Sequence, residues 1–375
     1  MEKKNVMFLA IFGALLVGCS EEEIANVETS SQNAIGFNVL SNAAETRATP
    51  ITPSNLTNTD FDVFAFTADG NAFMGVADTD WAHDGVKIVY KDGGWNYDDS
   101  DELRYWPDGA LDFYAISPAF AVQEGMHYAA NFSHGTQKIV YTCLDEYNTT
   151  ISDIRENHDV MYGIAKEQTK KSNGGKVSFM FKHILSQVAF KAKKELANMN
   201  VTISSIKIVN LYKNGIFSLP KSATDAPSSS DWEPELKEKT SGIVVRMGED
   251  ITVSNDGINI SIDKPLLTIP QTLTAWDVKG SKKTKADADD VGQSYLEISC
   301  KIQQSGVYLC GSANGCGTIY VPFGASWEPG KRYIYTMIFG GGYDENGDEI
   351  LKPIEFNAET EDWVDDAGND HEVNM

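Results

Sequence analysis

Short runs of β-branched and aromatic residues, separated by Gly, Pro, Asp or Asn, recur along most of the chain. Their apolar and polar side chains alternate with a period of two, as in a half-buried β-strand. Helical periodicity is almost absent, and many short strands between turn residues are typical of a sandwich or a barrel. The sequence therefore predicts an all-β fold with strands at Phe61–Phe66, Val86–Tyr90, Ala110–Ile116, Lys138–Tyr141, Lys176–Leu185, Val201–Tyr212, Gly242–Arg246, Ile258–Ile262, Tyr295–Ile302, Thr318–Phe323, Tyr333–Phe339 and Ile354–Ala358.

The length of 375 residues fits two units at roughly 150 residues per domain. The polar segment Lys170–Gly175 is the best linker between them. We therefore predict one β-sandwich over residues 48–172 and a second over residues 173–375. Two polar inserts, Ala223–Thr240 and Lys279–Gly292, are predicted to be loops.

A long alternating run opens the second predicted unit. Four of its residues share one phase and are expected to share one buried face, the histidine as a hydrogen-bonded core residue: Phe179, Phe181, His183 and Leu185. The phase changes before Val188, which predicts a bulge or bend near Ser186.

The first residues have the pattern of a secretory signal peptide. Two lysines precede an apolar run from Val6 to Val17, which at about 1.5 Å per residue is too short to cross a hydrocarbon core of about 30 Å. The run ends in a Leu-Val-Gly-Cys sequence that resembles the bacterial lipobox, where a lipoprotein-processing peptidase cleaves before a cysteine that carries a diacylglyceryl group. We predict a lipoprotein signal peptide over residues 1–18 and lipid attachment at Cys19.

Residues 19–47 are predicted to form a tether that carries one strand. The acidic cluster Ser20–Glu23 resembles the export tag that directs lipoproteins of some anaerobic gut bacteria to the outer face of the outer membrane; a solvated acidic linker is the alternative. Ile35, Phe37 and Val39 alternate with smaller or polar residues, as in a half-buried strand.

The chain carries 31 basic and 54 acidic side chains, a formal charge of −23. Such a surface repels phosphate backbones and anionic headgroups, which argues against nucleic-acid binding. After the signal peptide, no stretch has the continuous run of about eighteen apolar residues that a membrane span needs. We therefore expect contact with a membrane only through the lipid anchor.

The sequence contains no motif that indicates catalysis or the binding of a metal or cofactor. Its six histidines lack metal-ligand spacing, and neither a nucleophile elbow nor a phosphate-binding loop occurs. The segment Asp344–Asp348 has oxygen ligands typical of a calcium loop but lacks the closing glutamate, so a hairpin tip is predicted there. We expect no catalytic residues, no metal and no cofactor.

The cysteines other than Cys19 are Cys143, Cys300, Cys310 and Cys316. A hairpin turning around Ser305–Gly306 would place Cys310 directly opposite Cys300. A cross-strand disulfide between these two residues and a pair of free buried thiols are equally compatible with the spacing.

Several short motifs follow the lipobox in a defined order: Glu45–Ala48, Tyr105–Pro107, Leu111–Pro118, Asp159–Gly163, Phe179–Val188, Trp327–Tyr335 and a late Trp363. They are spread over nearly the whole mature chain. The ordered set resembles the fimbrillin family, whose members are the subunits and adhesins of the type V pili of two-membraned anaerobic bacteria.

This resemblance implies two tandem transthyretin-like β-sandwich domains and assembly by strand exchange. In that family an arginine-specific, trypsin-like protease removes the N-terminal strand, and a strand of another fimbrillin subunit fills the vacated groove. In this sequence the removed strand would be Ile35–Leu40, and the cut would fall between Arg47 and Ala48. Arg47 is the only Lys or Arg between Lys4 and Lys87.

The resemblance further implies a surface-exposed lipoprotein of the outer membrane and of a pilus, with other fimbrillin subunits and a host or microbial surface receptor as partners. The donated strand is less defined. Ile354, Phe356 and Ala358 alternate as a donor strand would, yet the same segment fits a strand that closes the second domain. The stalk, tip and anchor positions therefore stay open.

A glycan-binding surface lipoprotein is the alternative function, because aromatic side chains can stack on sugars. The tryptophans that would supply such platforms are Trp81, Trp95, Trp106, Trp232, Trp276 and Trp327. An exposed, coplanar array of them would favour glycan binding. A removable first strand over an apolar groove would favour the pilus.

Overall fold

The computed structural model describes residues 34–40, 56–75, 85–119, 128–144, 157–194, 196–235, 242–262, 264–281, 283–339, 342–351 and 355–362. Strands β1 to β11 are, in order, Gly36–Val39, Phe61–Thr67, Ala72–Met74, Val86–Lys91, Gly94–Tyr97, Leu111–Ser117, Tyr128–Ser133, Thr136–Thr142, Met161–Gln168, Lys176–Phe179 and Lys182–His183. Short 3₁₀ turns lie at Leu56–Asn58, Ser100–Glu102, Ser172–Gly175 and Ser229–Asp231.

The later part of the chain continues in the same way. Strands β12 to β27 are Ser186–Lys194, Met199–Val209, Asn214–Ser218, Trp232–Pro234, Gly242–Thr252, Ile258–Asn259, Leu266–Thr268, Thr272–Leu273, Tyr295–Gln304, Val307–Cys310, Gly317–Pro322, Ala325–Ser326, Lys331–Phe339, Gly342–Tyr343, Glu349–Leu351 and Glu355–Asp362. The predicted all-β fold is confirmed.

A nine-stranded sheet contains the first strand of the chain. Its strand order is β10-β1-β5-β4-β2-β6-β9-β11, with β3 beside β2. One face of this sheet covers an apolar core that includes Phe61, Val63 and Phe113. Because strands alternate their side chains, the opposite face of β2, β6 and β9 presents a second apolar set, which includes Phe64 and Tyr162.

That second face packs against a four-stranded sheet of order β15-β14-β8-β7. The ring centroids of Phe64 and Phe132 are 5.0 Å apart, and those of Tyr162 and Phe217 are 5.4 Å apart. Strands β7 and β8 precede the predicted domain boundary, whereas β14 and β15 follow it. The two sides of that boundary therefore share one sheet.

Two further sheets enclose the core of the C-terminal half. A five-stranded sheet has the order β17-β12-β24-β27 with β18 beside β12, and a seven-stranded sheet has the order β16-β13-β20-β22-β25-β26 with β21 beside β20. Phe190 and Met337 of the first sheet belong to the same apolar cluster as Ile206 and Ile298 of the second. The small sheet of β19 and β23 completes the fold.

The chain passes from one half to the other after His183. Strands β10 and β11, which the predicted boundary assigned to the second domain, lie in the nine-stranded sheet. The polar segment before them is a 3₁₀ turn at Ser172–Gly175. A Ser-, Asn- and Gly-rich composition suits a tight turn within one sheet as well as a linker, so composition alone did not locate the crossing.

The alternating run at this crossing is divided between two cores. Phe179 belongs to the N-terminal core and Leu185 to the larger one, while Phe181 and His183 are half-buried. The expectation that these residues share one buried face is therefore wrong. The predicted bend is found, since a break at residues 184–185 separates β11 from β12.

One predicted loop contains a helix, which we label α1, at Lys285–Val291. Thr284 and Asp287 form a capping box at its start, and Gly292 ends it with a φ of 69°. The helix is short and carries several charges, so it lacks the apolar periodicity from which helices are predicted. The other predicted loop holds the 3₁₀ turn at Ser229–Asp231 and the short strand β15.

Candidate functional site

The candidate site is β1 and the groove that it occupies. β1 runs parallel to β10, with Phe37 opposite Val177 and Val39 opposite Phe179, and pairs with β5 on its other side through Phe37 and Trp95. Backbone hydrogen bonds also hold the residues on either side of β1: the Ile35 N–H donates to the carbonyl of Arg104, outside these strands, at 2.9 Å, and the Leu40 N–H donates to the Phe179 carbonyl of β10 at 2.7 Å. β1 is thus an interior strand with neighbours on both edges.

The side chains of β1 alternate as its sequence predicts. Ile35 and Phe37 are 1% and 2% exposed, and Val39 is half-buried. Full burial of a large apolar side chain is worth about 1.5 to 3 kcal/mol before the entropic cost. The strand is therefore held by two buried side chains as well as by its backbone hydrogen bonds.

Phe37 lies at the centre of an aromatic cluster. Its ring centroid is 5.6 Å from Tyr97, 6.3 Å from Phe179, 6.4 Å from Phe61 and 6.5 Å from Phe113. These four residues come from four different strands. Burial raises the pKa of the Tyr97 hydroxyl to about 12.

Two glycines shape the walls of the groove. A Cβ on Gly36 would lie 3.1 Å from Cγ of Lys176, so the missing side chain leaves room for the lysine stem. A Cβ on Gly163, in β9, would lie 3.0 Å from Cδ1 of Phe179. The ring of Phe179 therefore packs against Phe37 of β1 on one side and against the backbone of β9 at Gly163 on the other.

The end of β1 meets a small apolar surface. Met161 is buried beneath Val39, Trp95 and Phe181, which are partly buried themselves. Leu40 and Met180 are exposed beside the end of the strand. This surface lies where the chain leaves the groove toward residues 41–47.

Several predicted site residues lie outside the described ranges. They are the lipid attachment site Cys19, the cleavage site Arg47 and Ala48, and Ile354. The remaining part of the predicted C-terminal strand is described: β27 pairs antiparallel to β24, with Phe356 opposite Met337 and Ala358 opposite Tyr335. Among the described strands it lies at one edge of the five-stranded sheet.

Other residues singled out by the sequence have structural roles. His183 Nδ1 lies 3.0 Å from Oδ1 of the buried Asp159, as expected of a hydrogen-bonded histidine. Asp344 follows β25 in a hairpin tip, where its carboxylate accepts hydrogen bonds from the backbone N–H groups of Asn346 and Asp348, both at 2.9 Å. These hydrogen bonds, that of Asp348 above all, lower the pKa of Asp344.

The described tryptophans do not form an exposed array. Trp232, Trp276 and Trp327 are buried, and Trp95 and Trp106 are half-buried. Three indole N–H groups donate within the fold: Trp106 to Gly175, Trp232 to Ile184 and Trp327 to Tyr335. Trp81 lies outside the described residues.

Within the described ranges, no group of three or more His, Cys, Asp or Glu side chains could hold a metal ion. The same residues include no helix that is long and apolar enough to cross a membrane.

The sequence did not identify the walls of the groove. Val177 and Phe179 were assigned to the second domain, and Trp95 was considered only as a sugar platform. Parallel neighbours in a sheet leave no local signal, because each strand carries only its own alternation. The one available hint was the strong apolar phase of Val177 and Phe179.

Comparisons with known proteins agree with this architecture. Residues 46–363 match the family model described as fimbrillin-like. The chain is 24% identical over 246 residues to the fimbrium subunit Fim1C of Phocaeicola vulgatus, a match that covers 61% of this chain and only 63% of that relative. The crystal structure of a fimbrial protein from Bacteroides vulgatus shares the fold, with a TM-score of 0.58, 16% identity, and coverage of 88% of this chain and 100% of that one.

Proposed function

Because the chain belongs to the fimbrillin-like family, we propose that it is a pilus subunit or pilus-associated adhesin that assembles at the cell surface by strand exchange. Its role in this proposal is structural rather than catalytic. It is exported as a lipoprotein, processed by a lipoprotein-processing peptidase and anchored in the outer membrane through Cys19. An arginine-specific protease then cuts between Arg47 and Ala48.

The observation that carries the proposal is the interior position of β1 between β10 and β5. Removal of an interior strand exposes backbone N–H and C=O groups on both flanking strands and empties the pockets of Ile35 and Phe37. Unpaired edges of this kind are templates for the addition of another strand. An incoming strand that alternates apolar residues would satisfy both requirements.

The covalent connection of β1 gives the proposed cut its effect. β1 is joined to the rest of the fold through residues 41–60, which contain a single arginine and no lysine. While the chain is intact, the strand is an intramolecular ligand at high effective concentration. After cleavage it is a separate peptide, which a donor strand from another fimbrillin subunit displaces.

The C-terminal segment Ile354, Phe356 and Ala358 is the candidate donor. Its pairing with β24 as an edge strand means that donation would require it to leave that strand. A donor supplied by a different subunit is the alternative, and the position in the pilus depends on which of the two applies. A host or microbial receptor would be the partner of an adhesin at the tip.

Arginine-specific activation is tested with Arg47→Ala and Arg47→Lys in cells that produce the pilus. We expect both variants to accumulate as folded, lipidated and unassembled precursors. Trypsin treatment of the purified proteins should restore polymer ladders for Arg47→Lys, which trypsin still cuts, and not for Arg47→Ala. Assembly of either variant in cells at the parental level would refute the proposed activation.

A further inference from the structure

Three cysteines meet where β20, β21 and β22 adjoin. Cys300 in β20 is fully buried, Cys310 at the end of β21 is 8% exposed, and Cys316 just before β22 is half-buried. The hairpin pairs Gln304 with Val307, and a one-residue register shift after Ile302 then places Cys310 opposite Ile302, so Cys310 does not lie directly opposite Cys300 as its spacing predicted. Cys310 is therefore a diagonal neighbour of Cys300, and both side chains face the larger core. All three are free thiols in this structure.

Cys300 and Cys310 are nevertheless in direct contact. The Sγ of Cys310 donates to the backbone carbonyl oxygen of Cys300 at 3.7 Å, and the two thiols lie close enough for each to shift the pKa of the other. The residue opposite Cys300 in β22 is Gly317. A Cβ on Gly317 would lie 2.8 Å from Sγ of Cys310, so the absent side chain provides the space that the sulfur occupies.

The surroundings of the two sulfurs make them chemically unequal. The pKa of Cys310 is lowered, first by the hydrogen bond from the Cys300 thiol and then, against the effect of burial, by the backbone N–H groups of Gly311 and Gly317. The pKa of Cys300 is raised by the same thiol contact and by burial. Thiolates are the nucleophiles in disulfide exchange, and an oxidant must also reach the sulfur it meets. Cys310 is 8% exposed whereas Cys300 is fully buried, so Cys310 is the attacking sulfur and Cys300 the proton-bearing partner.

We propose that Cys300 and Cys310 form an oxidisable pair that closes into an intrachain disulfide by exchange with a disulfide oxidant. Formation of this disulfide depends on the close approach of Cys310 to Cys300 and on the absence of a side chain at Gly317, which leaves room for the Cys310 sulfur. It requires neither cleavage at Arg47 nor strand exchange.

The exchange takes two steps. The Cys310 thiolate attacks one sulfur of the oxidant, which forms a mixed disulfide and releases the first oxidant thiolate. Cys300 then loses its proton and attacks the sulfur of Cys310, which forms the intrachain bond and releases the second oxidant thiolate. The cysteine pair gives up two electrons and two protons, and the oxidant ends as two thiols.

The Cys300–Cys310 disulfide would restrain the β20–β21 hairpin, whose tip exposes apolar side chains. Val307 is 64% exposed and follows the turn at Ser305 and Gly306, which both have positive φ. Tyr308 next to it is also exposed. A link at the base of β21 would hold this tip against β20.

The pair is tested on the full chain, purified under reducing conditions and then treated with oxidised glutathione. We expect the intact mass to fall by two hydrogen atoms, and non-reducing peptide mapping to join the peptides that contain Cys300 and Cys310. The same link should form in Cys316→Ser and in Cys143→Ser, which serves as the control for loss of a buried thiol elsewhere.

Substitution of each cysteine in turn distinguishes the attacking sulfur from the sulfur that resolves the mixed disulfide. Cys300→Ser, made together with Cys316→Ser, should accumulate a mixed disulfide with glutathione at Cys310, because neither neighbouring thiol is left to resolve it. Cys310→Ser should give neither the link nor an adduct at Cys300. The proposal is overturned if the link joins Cys316 to either residue, or if Cys300 and Cys310 stay unlinked in the oxidised full chain.

Discussion

The rings of Phe37 and Phe179 are stacked, with planes 9° apart and centroids separated by 6.3 Å. They belong to β1 and β10, two parallel neighbours that are separated by most of the N-terminal half of the sequence. One ring would leave with the removed strand, and the other would stay in the groove wall. The stacked pair therefore marks the surface on which strand exchange would occur.

The first prediction concerns the contribution of Phe37 to the uncleaved chain. Replacement by Ala removes a buried ring that contacts four other aromatic side chains, so we expect Phe37→Ala to lower the free energy of unfolding by about 3 to 5 kcal/mol. Asn38→Ala is the matched control, because Asn38 is a half-buried residue of the same strand with the opposite phase. Denaturant unfolding measures both changes. Equal effects would contradict the assigned role of Phe37.

The second prediction concerns displacement of β1. A synthetic peptide with the sequence of residues 34–40, added in excess to protein cut after Arg47, should slow the growth of polymer because it competes with donor strands for the groove. A peptide with Ala at the position of Phe37 should compete less well. The growth of polymer is followed over time as ladders in gels. An unchanged rate of growth with either peptide would argue against an open groove.

The third prediction tests the wall behind Phe179. Gly163→Ala would place a methyl group 3.0 to 3.2 Å from three carbons of that side chain, and such overpacking costs about 1 to 3 kcal/mol. Gly135→Ala is the control, because a Cβ at Gly135 would meet no atom within 4 Å. A thermal-unfolding comparison should show a lower midpoint for the first variant alone. An unchanged midpoint for Gly163→Ala would mean that Phe179 shifts to accommodate the methyl group, and would contradict the prediction.

The fourth prediction concerns alkaline stability. Burial raises the pKa of Tyr97 to about 12 from an unfolded value near 10. A raised pKa favours the neutral phenol in the folded state, so its contribution, on the order of 2 kcal/mol, is complete below pH 10 and is lost as the pH rises to 12. Unfolding at fixed urea, followed from pH 9 to pH 12, should therefore become easier. Tyr97→Phe should reduce the slope of this dependence, while the other buried tyrosines whose pKa values are raised maintain the remainder. An unchanged slope would contradict the assignment.

Some structure was missed although local signals for it were present. The Thr284-x-x-Asp287 capping box and Gly292 delimit α1, but the seven-residue segment between them has no apolar stripe. Tertiary contacts stabilise it instead: Asp289 accepts hydrogen bonds from Asn210, which follows β13, and from Tyr295 in β20. Such partners are invisible to a pattern that extends over a few residues.

The sequence by itself determined the all-β class and the alternation of Ile35, Phe37 and Val39. Both follow from the period-two pattern that each strand carries within its own residues. Only the tertiary structure decided that β1 lies beside β10, that β10 belongs to the N-terminal sheet, and that Cys310 faces Ile302. Strand pairing and register depend on which distant segments meet and on bulges that shift them, and two strands with the same alternation are interchangeable until their neighbours are known.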